Sequence, residues 1–331
     1  MKDTAIAKIV SSLICPVCSE RLQEISGNFT CTACKKKYGR IGGIPVLIAK
    51  GSNHKTKEAA YHSSISPSYG DLHQLNSYRN RSFHLQALKT ILSLPLRSAV
   101  LELGCGTGFD AIPLLAEKHL VVETDIAPGQ VKEAKKQIRQ AGLSDHALFY
   151  VADAENIPFD DETFDASLIV AALHHLEHPC KALQEMRRCT RGGGSIVIAM
   201  EPNTREWVKV LSIPFSMAKF VAFRTVGKKQ LKRALKRADA FREPTIERTF
   251  TRREIVDLVR EAGFTIKKVE PMWFLCGFIQ WFVTLLNKLS TRRWSLNSDV
   301  ERCCVHLDRM IAAIPLINSF CCNWTLHCTK E

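Results

Sequence analysis

Several things are scarce in this chain of 331 residues, and each scarcity narrows what it does. No apolar run reaches the roughly 20 residues needed to span a bilayer. The longest, from Trp273 to Leu286, fits an interfacial helix or the wall of an apolar pocket instead. No secretory leader precedes the cysteines, so the 13 of them are expected to be reduced thiols in a cytoplasmic protein. Acids are under-represented, with 33 Asp and Glu against 46 Lys and Arg, and the formal charge of +13 suits anionic partners. A dinucleotide fingerprint is missing too: after Gly104 and Gly106 its third glycine falls at position 109, which is Phe109.

What is present begins with two C-x-x-C knuckles, Cys15-Pro16-Val17-Cys18 and Cys31-Thr32-Ala33-Cys34, with Gly27-Asn28 between them as a hairpin turn. A thioredoxin-like reading needs one such pair opening a helix in a βαβ unit, which is absent here. Four thiolates at this spacing suit one tetrahedral zinc ion, so Cys15, Cys18, Cys31 and Cys34 are the expected ligands of a structural zinc. Such an ion stabilises a segment too short to build its own core.

The second feature is Leu101-Glu102-Leu103-Gly104-Cys105-Gly106-Thr107-Gly108, a buried strand running into alternating glycines. Without Cβ atoms, that turn lets the backbone approach a ligand at the strand's carboxyl end. A second strand follows, Leu120 to Asp125, then Ile126 and a helix opened by Pro128 and stopped at Gly142. An acid ending that strand, roughly 20 residues past the glycines, can accept both hydroxyls of a ribose. Asp125 is the first choice and Glu123 the second, and the alternative is that Asp125 caps the helix. Further on come Asp153-Ala154-Glu155-Asn156-Ile157-Pro158-Phe159, then Phe164-Asp165, and a strand from Ser167 to Ala172 leading into Leu173-His174-His175-Leu176.

In this order and spacing, these motifs resemble the class I S-adenosylmethionine-dependent methyltransferases, specifically the type 11 methyltransferase domain. The resemblance runs over about 85–330 and is strongest over 99–200. It implies an α/β fold: a Rossmann-like, doubly wound sheet of seven strands whose last strand is antiparallel. It also implies that Glu102, Gly104, Cys105, Gly106, Thr107 and Gly108 wrap the amino-acid half of the cofactor. Asp125 and Ile126 would then meet the ribose, while Asp153 and the backbone N–H of Ala154 hold the adenine edge. His174 and His175 stand where the family often has histidine, as a general base or as packing. Two departures are mild: Ala127 replaces the usual Ser, and Gly192 the usual Pro. The amino-terminal ribbon resembles those of ribosomal RNA guanine-N1 methyltransferases and of methyltransferase-activating proteins.

The expected organisation is a zinc ribbon over 1–50, a linker over 51–80, and a methyltransferase domain over 81–331. An insertion at 203–250 serves as a lid or substrate region. From Arg205 to Arg242 it carries eleven Lys or Arg against two acids, with a basic helix at Lys228 to Ala240 suited to anionic lipid, a phosphate backbone or solvent. Thr251 and Glu254 form a capping box beyond it. The function expected is methyl transfer to an apolar small-molecule or lipid-linked acceptor, with peripheral membrane contact through the insertion. A ribosomal or transfer RNA base methyltransferase is the rival, and a non-catalytic cofactor-binding scaffold the third reading.

Overall fold

The computed structural model describes residues 4–49, 51–204, 248–289 and 294–331. The basic stretch from Arg205 to Arg242 therefore lies outside the described residues.

The chain opens with a short helix, Thr4–Ser11, and the ribbon strands β1 (Leu22–Ile25), β2 (Asn28–Cys31) and β3 (Lys37–Tyr38). The β1–β2 turn is Ser26-Gly27, not the expected Gly27-Asn28: Asn28 is already paired with Ile25, and both turn residues have positive φ (51° and 79°). That is the twist a two-residue hairpin requires.

The main sheet contains nine strands. In chain order these are β4 (Arg40–Ile41), β5 (Ile44–Leu47), β6 (Ala99–Leu103), β7 (Leu120–Asp125), β8 (Ala147–Ala152), β9 (Phe164–Val170), β10 (Thr190–Pro202), β11 (Thr265–Met272) and β12 (Asn323–Thr329). Their spatial order is β11-β12-β10-β9-β6-β7-β8-β5-β4. Seven of them reproduce the expected doubly wound sheet, and β12 runs antiparallel between β10 and β11. The other two come from the tail of the amino-terminal segment, where β5 pairs in parallel with β8 through Val46↔Val151 and Leu47↔Ala152. The tail of the ribbon segment thus completes the sheet edge beside Asp153.

Strand residues alternate between two apolar layers, which is why β6 and β7 read as continuous hydrophobic runs. Leu101, Leu103 and Val122 face one layer, whereas Val100 and Val121 face the other. The order reverses between β6 and β9, and both run parallel, so a crevice opens at their carboxyl ends.

The stretch 51–80, expected as a linker because it lacks apolar periodicity, is mostly helix: Asn53–Ile65, a turn at Ser66–Ser68, Tyr69–Leu72, and the start of Tyr78–Leu92. Ser52 caps the first of these by accepting a hydrogen bond from Lys55 N, 3.2 Å away. Its packing is polar, through side chains directed at the crevice, so an apolar pattern could not announce it. The capping box at Thr251 and Glu254 forms as expected.

Candidate active site

The glycine turn is tight for identifiable reasons. Gly104 has φ +67°, and a Cβ there would meet the Cβ of Ala172 at 2.6 Å. Gly108 (φ +76°) sits against Ala134 at 3.0 Å, so it serves helix packing and lines neither cavity described below. Gly106 faces open space, as a ligand-facing turn should.

Two cavities meet over this turn, sharing Gly104, Gly106, Val170, Ala171 and Tyr69. The narrower, of about 100 Å³, brings together Asp125, Ile126, Asp153, Ala154 and His175. The wider, of about 410 Å³, is reached by Glu102, Cys105, Thr107 and Phe109 and walled by Met200, Trp273 and Trp281. The predicted cofactor residues therefore converge, apart from Gly108.

Asp125 is tied to the backbone on both sides. Its Oδ2 accepts from Gly106 N at 3.0 Å and its Oδ1 from Ala127 N at 2.8 Å, so it stitches the glycine turn to the following helix. An ionised carboxylate has about four acceptor sites, which leaves room for a ribose hydroxyl. Burial raises its pKa, against those two backbone bonds. The runner-up, Glu123, is fully buried as the register partner of Glu102 in the β6–β7 pairing, and lines neither cavity. Burial pushes Glu123 up to about 8 and, with Glu123 alongside, pushes Glu102 well above the usual range. The pair is thus a buried, acid-rich layer that reaches the wider cavity through Glu102. Burial and Glu123 likewise keep Cys105 a neutral thiol.

The roof of the narrower cavity comes from Asn53–Ile65, and sequence reasoning missed it. Lys55 Nζ lies 2.6 Å from Asp153 and 2.8 Å from Glu155. Burial opposes its charge, but the two carboxylates raise its pKa. The acid expected to hold an adenine amine is thus already occupied by a lysine ammonium. Glu58 and His62 line the same cavity, with 3.0 Å between Oε2 and Nε2.

The two histidines differ. His175 lines the narrower cavity, and burial, followed by the neighbouring His174 and His62, pushes its pKa down to about 2. Such an imidazole is neutral and a weak proton acceptor. His174 lines neither cavity, but its Nδ1 lies 2.9 Å from the fully buried Glu201. Glu201 also accepts from the backbone N–H groups of Ala172, Leu173 and His174 at 3.0–3.1 Å. That carboxylate fixes the tautomer that carries its proton on Nδ1. Glu201 was visible in the sequence as the start of Glu201-Pro202-Asn203, but nothing local connected it to His174. Nor did anything announce His84, whose Nδ1 lies 2.7 Å from Asp110 Oδ1 on the wall of the wider cavity.

Arg79 is no solvated side chain. It is fully buried and paired with Glu301, while Gln280 Oε1 lies 2.9 Å from its Nη2. It clamps the helix Tyr78–Leu92 to Leu275–Leu289 and Ser298–Ala312.

In the ribbon, the sulfurs of Cys15, Cys18, Cys31 and Cys34 all lie within 4.8 Å of one another, with closest pairs at 3.4 and 3.7 Å. Sulfurs about 2.3 Å from a tetrahedral ion stand about 3.8 Å apart, so the cluster fits. The segment carrying this cluster is anchored to the loop that follows Asp153: Ile14 N donates to Pro158 O, Asp160 N to Ser12 O, Asn156 Nδ2 to Pro16 O, and Arg21 pairs with Asp160.

Comparison with known proteins agrees with this geometry. Residues 101–198 match the family model described as a methyltransferase domain. The chain is 31% identical over 141 residues to a demethylmenaquinone methyltransferase of Paenarthrobacter aurescens, covering 43% of this chain and 53% of that protein. It is 32% identical over 143 residues to a ubiquinone/menaquinone biosynthesis C-methyltransferase of a Geobacter species, covering 42% and 60%. The match thus spans little more than half the length of these relatives. Among solved structures, geranyl diphosphate C-methyltransferase from Streptomyces coelicolor shares the fold, with a TM-score of 0.55 at 13% identity, covering 86% of this chain and 100% of that one. The glycine turn, the acids that meet around it and the family match all lie on the same strand ends: the chain carries a methyltransferase domain.

Proposed function

We propose that this protein transfers the methyl group of S-adenosylmethionine to an apolar small-molecule or lipid-linked acceptor. One observation carries the reading: the narrower cavity holds Asp125, Asp153 and Ala154, and it opens over Gly104 and Gly106 into the wider, aromatic-walled cavity. A cofactor lying along the turn would put its nucleoside half in the first and its methionine half toward the second. An acceptor between Met200, Trp273 and Trp281 would then face the methyl group. The names of the relatives, which act on quinone precursors or geranyl diphosphate, support an apolar acceptor.

When bound, the cofactor supplies an activated methyl group on sulfur. The protein's share is positioning, which alone removes several kcal/mol from the barrier when reacting atoms are held in line. The glycine turn and Asp125 fix one partner, and the aromatic wall excludes water from the other. The reading suits an acceptor that needs no base, because His174 lines neither cavity and His175 is too weakly basic.

The four-cysteine cluster of the ribbon holds a structural zinc in this reading, and it braces the loop carrying Asp153. Among the described residues, no helix is long and apolar enough to cross a membrane, so a lipid-linked acceptor would be met at a surface. The test is transfer of labelled methyl from S-adenosylmethionine to short-chain demethylated quinones and to RNA, across a salt series. Label entering the apolar acceptor independently of salt supports the reading. Label entering RNA alone, with a steep loss in salt, would replace it by the nucleic-acid reading.

A further inference from the structure

We propose that Glu58, His62 and His175 form a second metal site, for a divalent cation of the zinc class, with an open coordination position facing the narrower cavity. The site does not depend on the methyl-transfer reading, because its occupancy is read without turnover.

Two imidazoles and one carboxylate are a donor set that binds borderline divalent cations and leaves at least one position for another oxygen. Here the three come from two separate elements that face each other across the cavity: Glu58 and His62 are one turn apart on Asn53–Ile65, and His175 stands just past the end of β9. One ligand atom from each lies within 4.8 Å of the others. Glu58 Oε2 is 3.0 Å from His62 Nε2 and 4.0 Å from His175 Nδ1. Ligands at about 2.0–2.2 Å from a tetrahedral ion stand about 3.3–3.5 Å apart, so side-chain rotations of about an ångström complete the site.

The chemistry of the place agrees. Glu58 is 5% exposed, so a cation bound there would sit beside its carboxylate and out of bulk water. The rings of His62 and His175 meet edge to face at 79°, an arrangement that lets both present nitrogens to the carboxylate. No hydrogen bond reaches the buried Nδ1 of His175 among the described residues. All three side chains line the cavity that also contains Asp125, so the open position points to where a ligand oxygen would lie.

The experiment counts metal in the full chain. Protein saturated with zinc chloride is dialysed against metal-free buffer, and bound zinc is measured for the wild type, Glu58→Gln and His62→Asn. The proposal expects two equivalents in the wild type, one in the ribbon and one here, and one in each variant. Cobalt(II) titration reports the ligands directly: one equivalent should show thiolate charge-transfer absorption and the other weak visible bands without it. His62→Asn should erase the weak bands and keep the thiolate signal, which also shows that the ribbon has stayed folded. A single equivalent in the wild type, or a second equivalent untouched by both substitutions, would overturn the proposal.

Discussion

The narrower cavity has two walls built by opposite rules. Its floor, the carboxyl ends of β6, β7 and β8, is fixed from below by strands buried on both faces, so Gly104, Asp125 and Asp153 have little freedom in where they stand. Its roof, Asn53–Ile65, meets the floor through polar side chains: Lys55 on Asp153 and Glu155, Ser52 on Glu177, His54 on the carbonyl of His175. An apolar floor gives precision, whereas a polar roof gives contacts that a ligand can exchange.

Substitutions that attack the floor should therefore be far more damaging than those that attack the roof. The largest effect is expected for Gly104→Val. A branched side chain at φ +67°, with Ala172 Cβ 2.6 Å from the first added carbon, must displace the end of β9. Cofactor binding measured by calorimetry should disappear even if the protein still folds.

Next is Glu201→Ala, which strips the backbone N–H groups of Ala172, Leu173 and His174 of their acceptor and should weaken cofactor binding in calorimetry, because Ala172 packs on Gly104.

A third effect belongs to stability. Removing Glu301 leaves Arg79 buried without its partner, so Glu301→Ala should cost about 3–5 kcal/mol in denaturant unfolding. The buried acids paired between β6 and β7 also titrate. Glu123 has a folded pKa of about 8, above its unfolded value, so its contribution is present below the unfolded pKa and is lost as pH rises toward 8. Thermal unfolding between pH 5 and 8 should show stability falling, and Glu123→Gln should flatten that slope.

The smallest effect is on the roof. Lys55→Met releases Asp153 from its lysine, and cofactor affinity should rise by a few-fold if the ammonium competes with the adenine edge. A fall in affinity would mean that Lys55 holds the loop in its binding shape.

The same contrast explains what the sequence revealed. Gly104-Cys105-Gly106-Thr107-Gly108 and Asp125 could be read because strand, turn and acid are encoded within a few residues of one another, and burial on both faces leaves a clear apolar signature. The seven strands that the family resemblance implied are present. Lys55, Glu58 and His62 could not be read as a wall of the site: the residues that Lys55 and Glu58 meet across the cavity, Asp153 and His175, are about a hundred residues away, and the helix carrying them has no apolar stripe. Glu201 was equally silent, since its bond to His174 joins two strand ends that only the sheet order brings together. The tail of the ribbon looked like part of a separate module, because the pairing of Val46 with Val151 is decided by β8 and not by anything near Val46.

The central claim is that the glycine turn and Asp125 hold S-adenosylmethionine. Isothermal calorimetry with that cofactor on the zinc-loaded full chain tests it most directly, with Asp125→Ala as the comparison. The account predicts one binding site in the wild type, lost or severely weakened in the variant, with the same circular dichroism for both. A folded wild type that binds no cofactor would contradict it and leave the protein a scaffold built on a methyltransferase fold.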